Sequence, residues 1–87
     1  ISMLFFVYIL QCADTTYYTG CTNDVEKRIM EHNGSKKGAK YTRMRRPVKL
    51  IYSETFTTLS KARKREATIK KLSRKQKITL VQSKDGS

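Results

Sequence analysis

Two tyrosines at positions 8 and 18, an arginine and a histidine at 28 and 32, and a glutamate at 66 form a set able to hydrolyse a phosphodiester. A hard cation such as Mg²⁺ is held by one or two carboxylates, with water and a phosphate oxygen completing its shell. Such a cation lowers the pKa of its bound water and offsets charge that develops in the transition state. Arginine presents fixed donors to phosphate oxygens. Tyrosine or histidine can orient the attacking water and accept its proton, although a phenol, with an ordinary pKa of about 10, needs a nearby cation to act as base. Taken singly, each residue has a plainer reading. Tyr8 and Tyr18 would be strand aromatics, Arg28 and His32 helix-surface residues, and Glu66 the ion-pair partner of Lys70 or Arg63. The joint occurrence favours chemistry.

Local patterns say which elements carry these side chains. Residues 4–11 (LFFVYILQ) are β-branched and aromatic and fit a strand covered on both faces. Residues 13–16 are turn material, and 17–22 return as a second strand. Tyr8 and Tyr18 share a face in any hairpin register whose paired numbers add to an even sum, and a one-residue slip separates them. Asn23 with Glu26 reads as a capping box and Asn33-Gly34 as a stop, giving a helix over 24–33. At roughly 100° per residue, His32 lies within about 20° of Val25, and Arg28 lies about 60° away on the same side. Both therefore point to the sheet, and an arginine directed inward needs an anion to meet it.

A basic connector follows at 35–47, with one helical turn at 39–44, and 48–54 reads as a third strand. The stretch Thr57-Thr58-Leu59-Ser60 supplies a cap for a helix over 59–72, on which Glu66 shares a stripe with Leu59, Ala62, Ile69 and Leu72. A short last helix spans 74–81. Met30 and Met44 are expected to fill the core. Residues 1–82 are expected to form one domain and 83–87 a disordered tail.

Nineteen Lys and Arg against seven Asp and Glu leave a net charge of +12 on 87 residues. The partner this implies is a polyanion, nucleic acid before any other. The longest apolar run, 3–10, is too short for a bilayer, which needs roughly 20 residues. No small-residue cleavage site follows it. The chain thus reads as soluble and cytoplasmic, with no membrane partner, and self-repulsion favours a monomer. Cys12 and Cys21 read as reduced, buried thiols. Two cysteines and the lone His32 are too few ligands for a zinc site.

In this order and spacing the motifs closely resemble the GIY-YIG nuclease domain of the small stand-alone bacterial type. Phe6-Val7-Tyr8 matches the first triplet and Tyr18-Thr19-Gly20 the second. Arg28, His32 and Glu66 match the family's helix arginine, histidine and metal glutamate. The run KGAKYTR at 37–43, followed by Arg46-Pro47-Val48-Lys49-Leu50, is similar to the stand-alone subfamily's own signature. The likeness covers about residues 4–77. It implies an α+β domain with a β-β-α-β-α core: a three-stranded antiparallel sheet flanked by helices. It also implies an endonuclease dependent on Mg²⁺ or Mn²⁺ and acting on DNA in repair or recombination. Glu66 would bind the metal, Arg28 the scissile phosphate, and the Tyr and His positions the water nucleophile. Phe6 stands where the family has glycine, and Thr19 replaces the middle residue of the second triplet. Larger members carry extra substrate-selecting domains that are not found in these residues, so a protein partner that supplies targeting is a further expectation.

Lys40, Arg43, Arg45 and Arg46, beside the proposed cleft, and Lys70 are the expected nucleic-acid contacts. The competing reading is a non-catalytic module or accessory subunit that binds DNA or structured RNA. Glu66 argues against it, because a carboxylate repels phosphate and a binder gains nothing from keeping it.

Overall fold

Strand β1 (Phe5–Gln11) runs between β2 (Tyr17–Thr22) and β3 (Lys49–Phe56) in a three-stranded antiparallel sheet of order β2-β1-β3. These elements belong to a computed structural model, which describes residues 3–34 and 39–85. The central position of β1 explains its unbroken apolar sequence, since both of its faces are covered. Val7 and Ile9 turn to one side and Tyr8 and Leu10 to the other, all four buried.

Helix α1 (Val25–Gly34) and the single turn α2 (Lys40–Arg43) lie on the Tyr8 side, where Ile29 and Tyr18 pack on Tyr8, Leu10, Cys12 and Val48. Helices α3 (Leu59–Lys70) and α4 (Arg74–Asp85) cover the other face. There Ala62 and Ile69 join Val7, Ile9 and Tyr52, with Leu80 and Val81 of α4 alongside. The sheet thus separates two small cores.

The hairpin register pairs Tyr8 with Gly20 and Leu10 with Tyr18. Both pairs have even sums, so the two tyrosines share a face as expected. On the other flank β3 slips register between Ile9 and Leu10, which pair with Tyr52 and Leu50. This bulge changes the facing of the strand. Tyr52 enters the α3 core, while Val48 enters the α1 core.

Several local expectations shift. Asp24, not Asn23, caps α1, its carboxylate accepting the Lys27 amide at 3.1 Å, so the helix starts at Val25. The amide of Asn23 instead donates to Met3. Within the stretch 57–60, Thr58 is the residue that caps α3. Ser73 and Gln76 satisfy each other's backbone amides at the start of α4. That helix continues its ladder to Asp85, so the expected tail at 83–87 is helical through Asp85. Met30 and Met44 do not fill the core; they are 72% and 87% exposed. Met30 is one residue past the inward-facing Ile29 and so turns about 100° away from the sheet, while Met44 caps the exposed end of α2. Among the described residues no helix is long and apolar enough to cross a membrane. Cys12 is a buried free thiol and Cys21 a half-buried one.

Candidate active site

The site is built on the close approach of Tyr8 to β2. The phenol lies across the strand onto its pairing partner Gly20, where any β-carbon would collide with the hydroxyl end of the ring. Glycine is required at this position for space rather than for a special backbone conformation. With that room the Tyr8 hydroxyl reaches Nε2 of His32, 3.0 Å away on α1. Arg28, one turn earlier on the helix, lies near the same hydroxyl and pulls its pKa down. The face that periodicity assigned to Arg28 and His32 is therefore the face that meets the sheet.

His32 is fully buried and its ring is bonded at both nitrogens. Its Nδ1 lies 2.7 Å from the hydroxyl of Thr42, itself fully buried in α2. The Tyr18 ring approaches the imidazole edge-on at 5.1 Å and stacks on Tyr41 at 6.0 Å. Arg28 is also held by Glu31 at 3.0 Å.

Burial sets the protonation states. It pushes the Tyr8 phenol up to about 12; Arg28 opposes this, and Tyr18 and Glu66 add smaller upward pushes. It pushes His32 down to about 4, and the positive charge of Arg28 acts in the same direction. Burial works against the charge on Arg28 too, but Glu31 and Tyr8 together outweigh that and hold the guanidinium charged. At neutral pH the set is therefore a protonated phenol, a neutral imidazole and a guanidinium.

Tyr8, Tyr18, Arg28 and His32 thus assemble on one face of the sheet. Glu66 does not join them there, because it rises from α3 on the opposite face. There it lines a groove of about 420 Å³ with Cys21, Thr22, Asn23 and Arg63. Its charge is felt at Tyr8 and at Cys21, so the two halves of the set are coupled across one strand. The carboxylate is paired with Lys70 at 2.9 Å, the partner that spacing along the helix suggests.

Among the described residues no group of three or more His, Cys, Asp and Glu side chains converges. A zinc-type cage is thereby excluded for those residues, whereas a single carboxylate suits a hard cation that keeps most of its waters.

The expected nucleic-acid contacts divide. Lys40 and Arg43 are exposed on α2. Arg45 braces the molecule instead, bonding Asp14 of the β1–β2 turn at 3.0 Å and lying 3.9 Å over the ring of Tyr41. Arg46 is drawn inward to the end of α1, donating to the backbone oxygens of His32 and Glu31. Lys37 and Gly38, which open the KGAKYTR run, lie outside the described residues. Sequence reasoning missed Thr42, hidden in a connector that reads as basic and exposed. Its available signal was a small hydroxyl residue amid cations, three after Ala39, able to bond back to that residue's carbonyl.

Comparison with known proteins adds an independent finding. A family model described as the GIY-YIG catalytic domain matches residues 4–79. A UPF0213 protein from Syntrophus aciditrophicus is 57% identical over 76 residues, covering 87% of each chain. The UPF0213 protein YazA of Bacillus subtilis is 46% identical over 82 residues, 94% of this chain and 82% of its own. Among solved structures, that of the UPF0213 protein BH0048 from Bacillus halodurans superposes with a TM-score of 0.62 at 46% identity, covering 94% of this chain and 86% of the other. That of the protein EF2693 from E. faecalis superposes with a TM-score of 0.66 at 42% identity, covering 97% and 88%.

Proposed function

The chain belongs to the GIY-YIG nuclease-domain family, among its UPF0213 members, and from that premise we propose that it is a divalent-metal-dependent endonuclease hydrolysing DNA phosphodiesters in the cytoplasm, in repair or recombination. The observation that carries this reading is the Tyr8 hydroxyl, bonded to His32, pressed on Gly20 and within the fields of Arg28 and Glu66.

Each residue then has a task. A phenol that donates its proton to Nε2 turns its oxygen lone pairs towards Arg28 and the cleft. Through them Tyr8 orients the attacking water and takes its proton as its own proton passes to His32. Arg28 offers its donors to the phosphate oxygens. An anion bound there also neutralises a charge that holds the pKa of His32 down, so the imidazole becomes a better acceptor when substrate arrives. Glu66 would hold the cation, Mg²⁺ or Mn²⁺, which would supply a water of lowered pKa and positive charge to offset that of the transition state. Lys40 and Arg43, exposed beside Tyr41, and Arg63, beside Glu66, supply backbone-phosphate contacts on either side of β2.

One feature favours a second reading. Tyr8 is only 1% exposed and His32 not at all, as in a structural hydrogen bond. A non-catalytic module, or a subunit activated by a protein partner, would keep that pair for packing alone. Cleavage assays on single strands, duplexes, flaps and branched DNA, with Mg²⁺ or Mn²⁺, separate the two. Metal-dependent products that vanish in Glu66→Ala while binding persists support the nuclease. Equal background in both proteins, with salt-sensitive binding, supports the binder.

A further inference from the structure

His32 reaches the proposed reaction through one nitrogen only, and what the other nitrogen does decides whether it can serve. Nδ1 is 2.7 Å from Oγ1 of Thr42, and that hydroxyl is 2.9 Å from the carbonyl oxygen of Ala39. A threonine hydroxyl has one proton to give. Spent on the Ala39 carbonyl, it leaves Oγ1 as an acceptor, and the only proton it can accept from the ring is one on Nδ1. The opposite end of the imidazole agrees. With Nε2 bare, the Tyr8 hydroxyl 3.0 Å away has an acceptor for its own proton. The Ala39 amide also approaches Nδ1, but at 3.4 Å it is the longest of these contacts and does not offset the other two.

We propose that Thr42 is a positioning residue: its buried hydroxyl, anchored on the Ala39 carbonyl, fixes His32 in the tautomer protonated at Nδ1 and so keeps Nε2 as the acceptor for the Tyr8 proton. The assignment rests on the nuclease reading for its purpose but on the hydrogen-bond geometry for its substance. Thr42 and His32 are both completely buried, so water does not compete for either bond. The anchor is local, because Thr42 bonds back to a residue three positions earlier in its own turn, and α2 closes against α1 through this contact. The basic connector therefore has a second task besides meeting phosphate. It delivers one hydroxyl to the back of the catalytic imidazole, as ligating histidines elsewhere are oriented by a partner on their second nitrogen.

The chain has a single histidine, so the test needs no assignment. The ¹⁵N-labelled protein at pH 7, read by long-range ¹H–¹⁵N correlation, is expected to give a pyrrole-type shift at Nδ1 and a pyridine-type shift at Nε2. In Thr42→Val the two shifts move towards each other as the tautomers mix, and in Thr42→Ser the wild-type pattern returns. Turnover is expected to follow, with kcat lower by roughly ten- to a hundredfold in the valine variant, KM for DNA unchanged, and recovery in the serine variant. A wild-type spectrum with the proton on Nε2 overturns the proposal, and the wild-type measurement alone suffices should the valine variant not fold. A valine variant with unchanged shifts and turnover overturns it equally. A wild type that cuts no nucleic acid removes the nuclease reading, while the spectrum still decides what Thr42 does to the ring.

Discussion

The hydroxyl end of Tyr8 rests against the backbone of Gly20 so closely that no β-carbon fits between them. The phenol cannot swing aside, because it is 1% exposed and lies between β2 and the imidazole of His32. Gly20→Ala is therefore expected to displace the ring. Overpacking of this kind costs about 1–3 kcal/mol of stability, and a phenol moved off His32 is expected to lower kcat by on the order of a hundredfold. Denaturation midpoints and single-turnover rates measure the two effects separately. A stable alanine variant with full activity would remove Tyr8 from the reaction.

His32 gives the fold a pH dependence whose direction follows from its burial. Its pKa in the folded chain, pushed down to about 4, lies below the value it recovers on unfolding. Between the two, the unfolded chain binds a proton that the folded chain refuses. Stability is thus complete near neutrality and declines as pH falls from about 7 towards about 4, by up to about 3 kcal/mol. Urea titrations at pH 7 and 5 should show the decline in the wild type and a flatter profile in His32→Gln. Identical slopes in the two proteins would assign the acid sensitivity to carboxylates instead.

Thr19 offers a stabilising change. Its side chain is buried on the α3 side opposite Ile9, and its hydroxyl has no partner among the described residues. A buried hydroxyl left unbonded is a cost that an isosteric methyl removes. Thr19→Val is expected to raise stability by about 1 kcal/mol without changing activity, since the side chain points away from Tyr8. A lower urea midpoint would mean that a bound water satisfies the hydroxyl.

Glu54 ties β3 to α3. It takes two bonds from Arg65, at 2.9 and 3.0 Å, and a third from the Tyr52 hydroxyl. Removing it in Glu54→Ala leaves a guanidinium and a phenol without their acceptor. The expected cost is about 1–2 kcal/mol, since partial exposure of the pair moderates the loss. Glu54→Gln should recover part of it, which thermal melts can resolve. No effect in either variant would show the pair to be ornamental.

Much of this arrangement was legible in residue order. The even-sum register that joins Tyr8 to Tyr18, and the helical spacing that turns Arg28 and His32 inward, are local geometric facts that the chain states directly. Glu66 was readable as a member of the set but not in its placement. Which face of the sheet α3 would cover depends on how the chain crosses after β3, and no local period records that. The burial of Thr42 was illegible for a related reason. It comes from α2 closing on α1, a tertiary event within a segment whose charges argue for solvent. The bulge at Ile51 hid in the same way, since it changes which β3 side chains face each core without leaving a turn signal.

The division of the site across β2 separates two kinds of constraint on this sequence. Tyr8, Gly20, His32 and Thr42 are core as well as candidate site, so packing holds them whether or not the domain cuts DNA. Glu66 fills no core. Its stake in the fold is one ion pair with Lys70, a kind worth about 0.2–0.5 kcal/mol. It is free to drift once chemistry no longer holds it. On the nuclease reading, an intact tyrosine–histidine pair in a relative of this domain testifies to ancestry, and the glutamate to use.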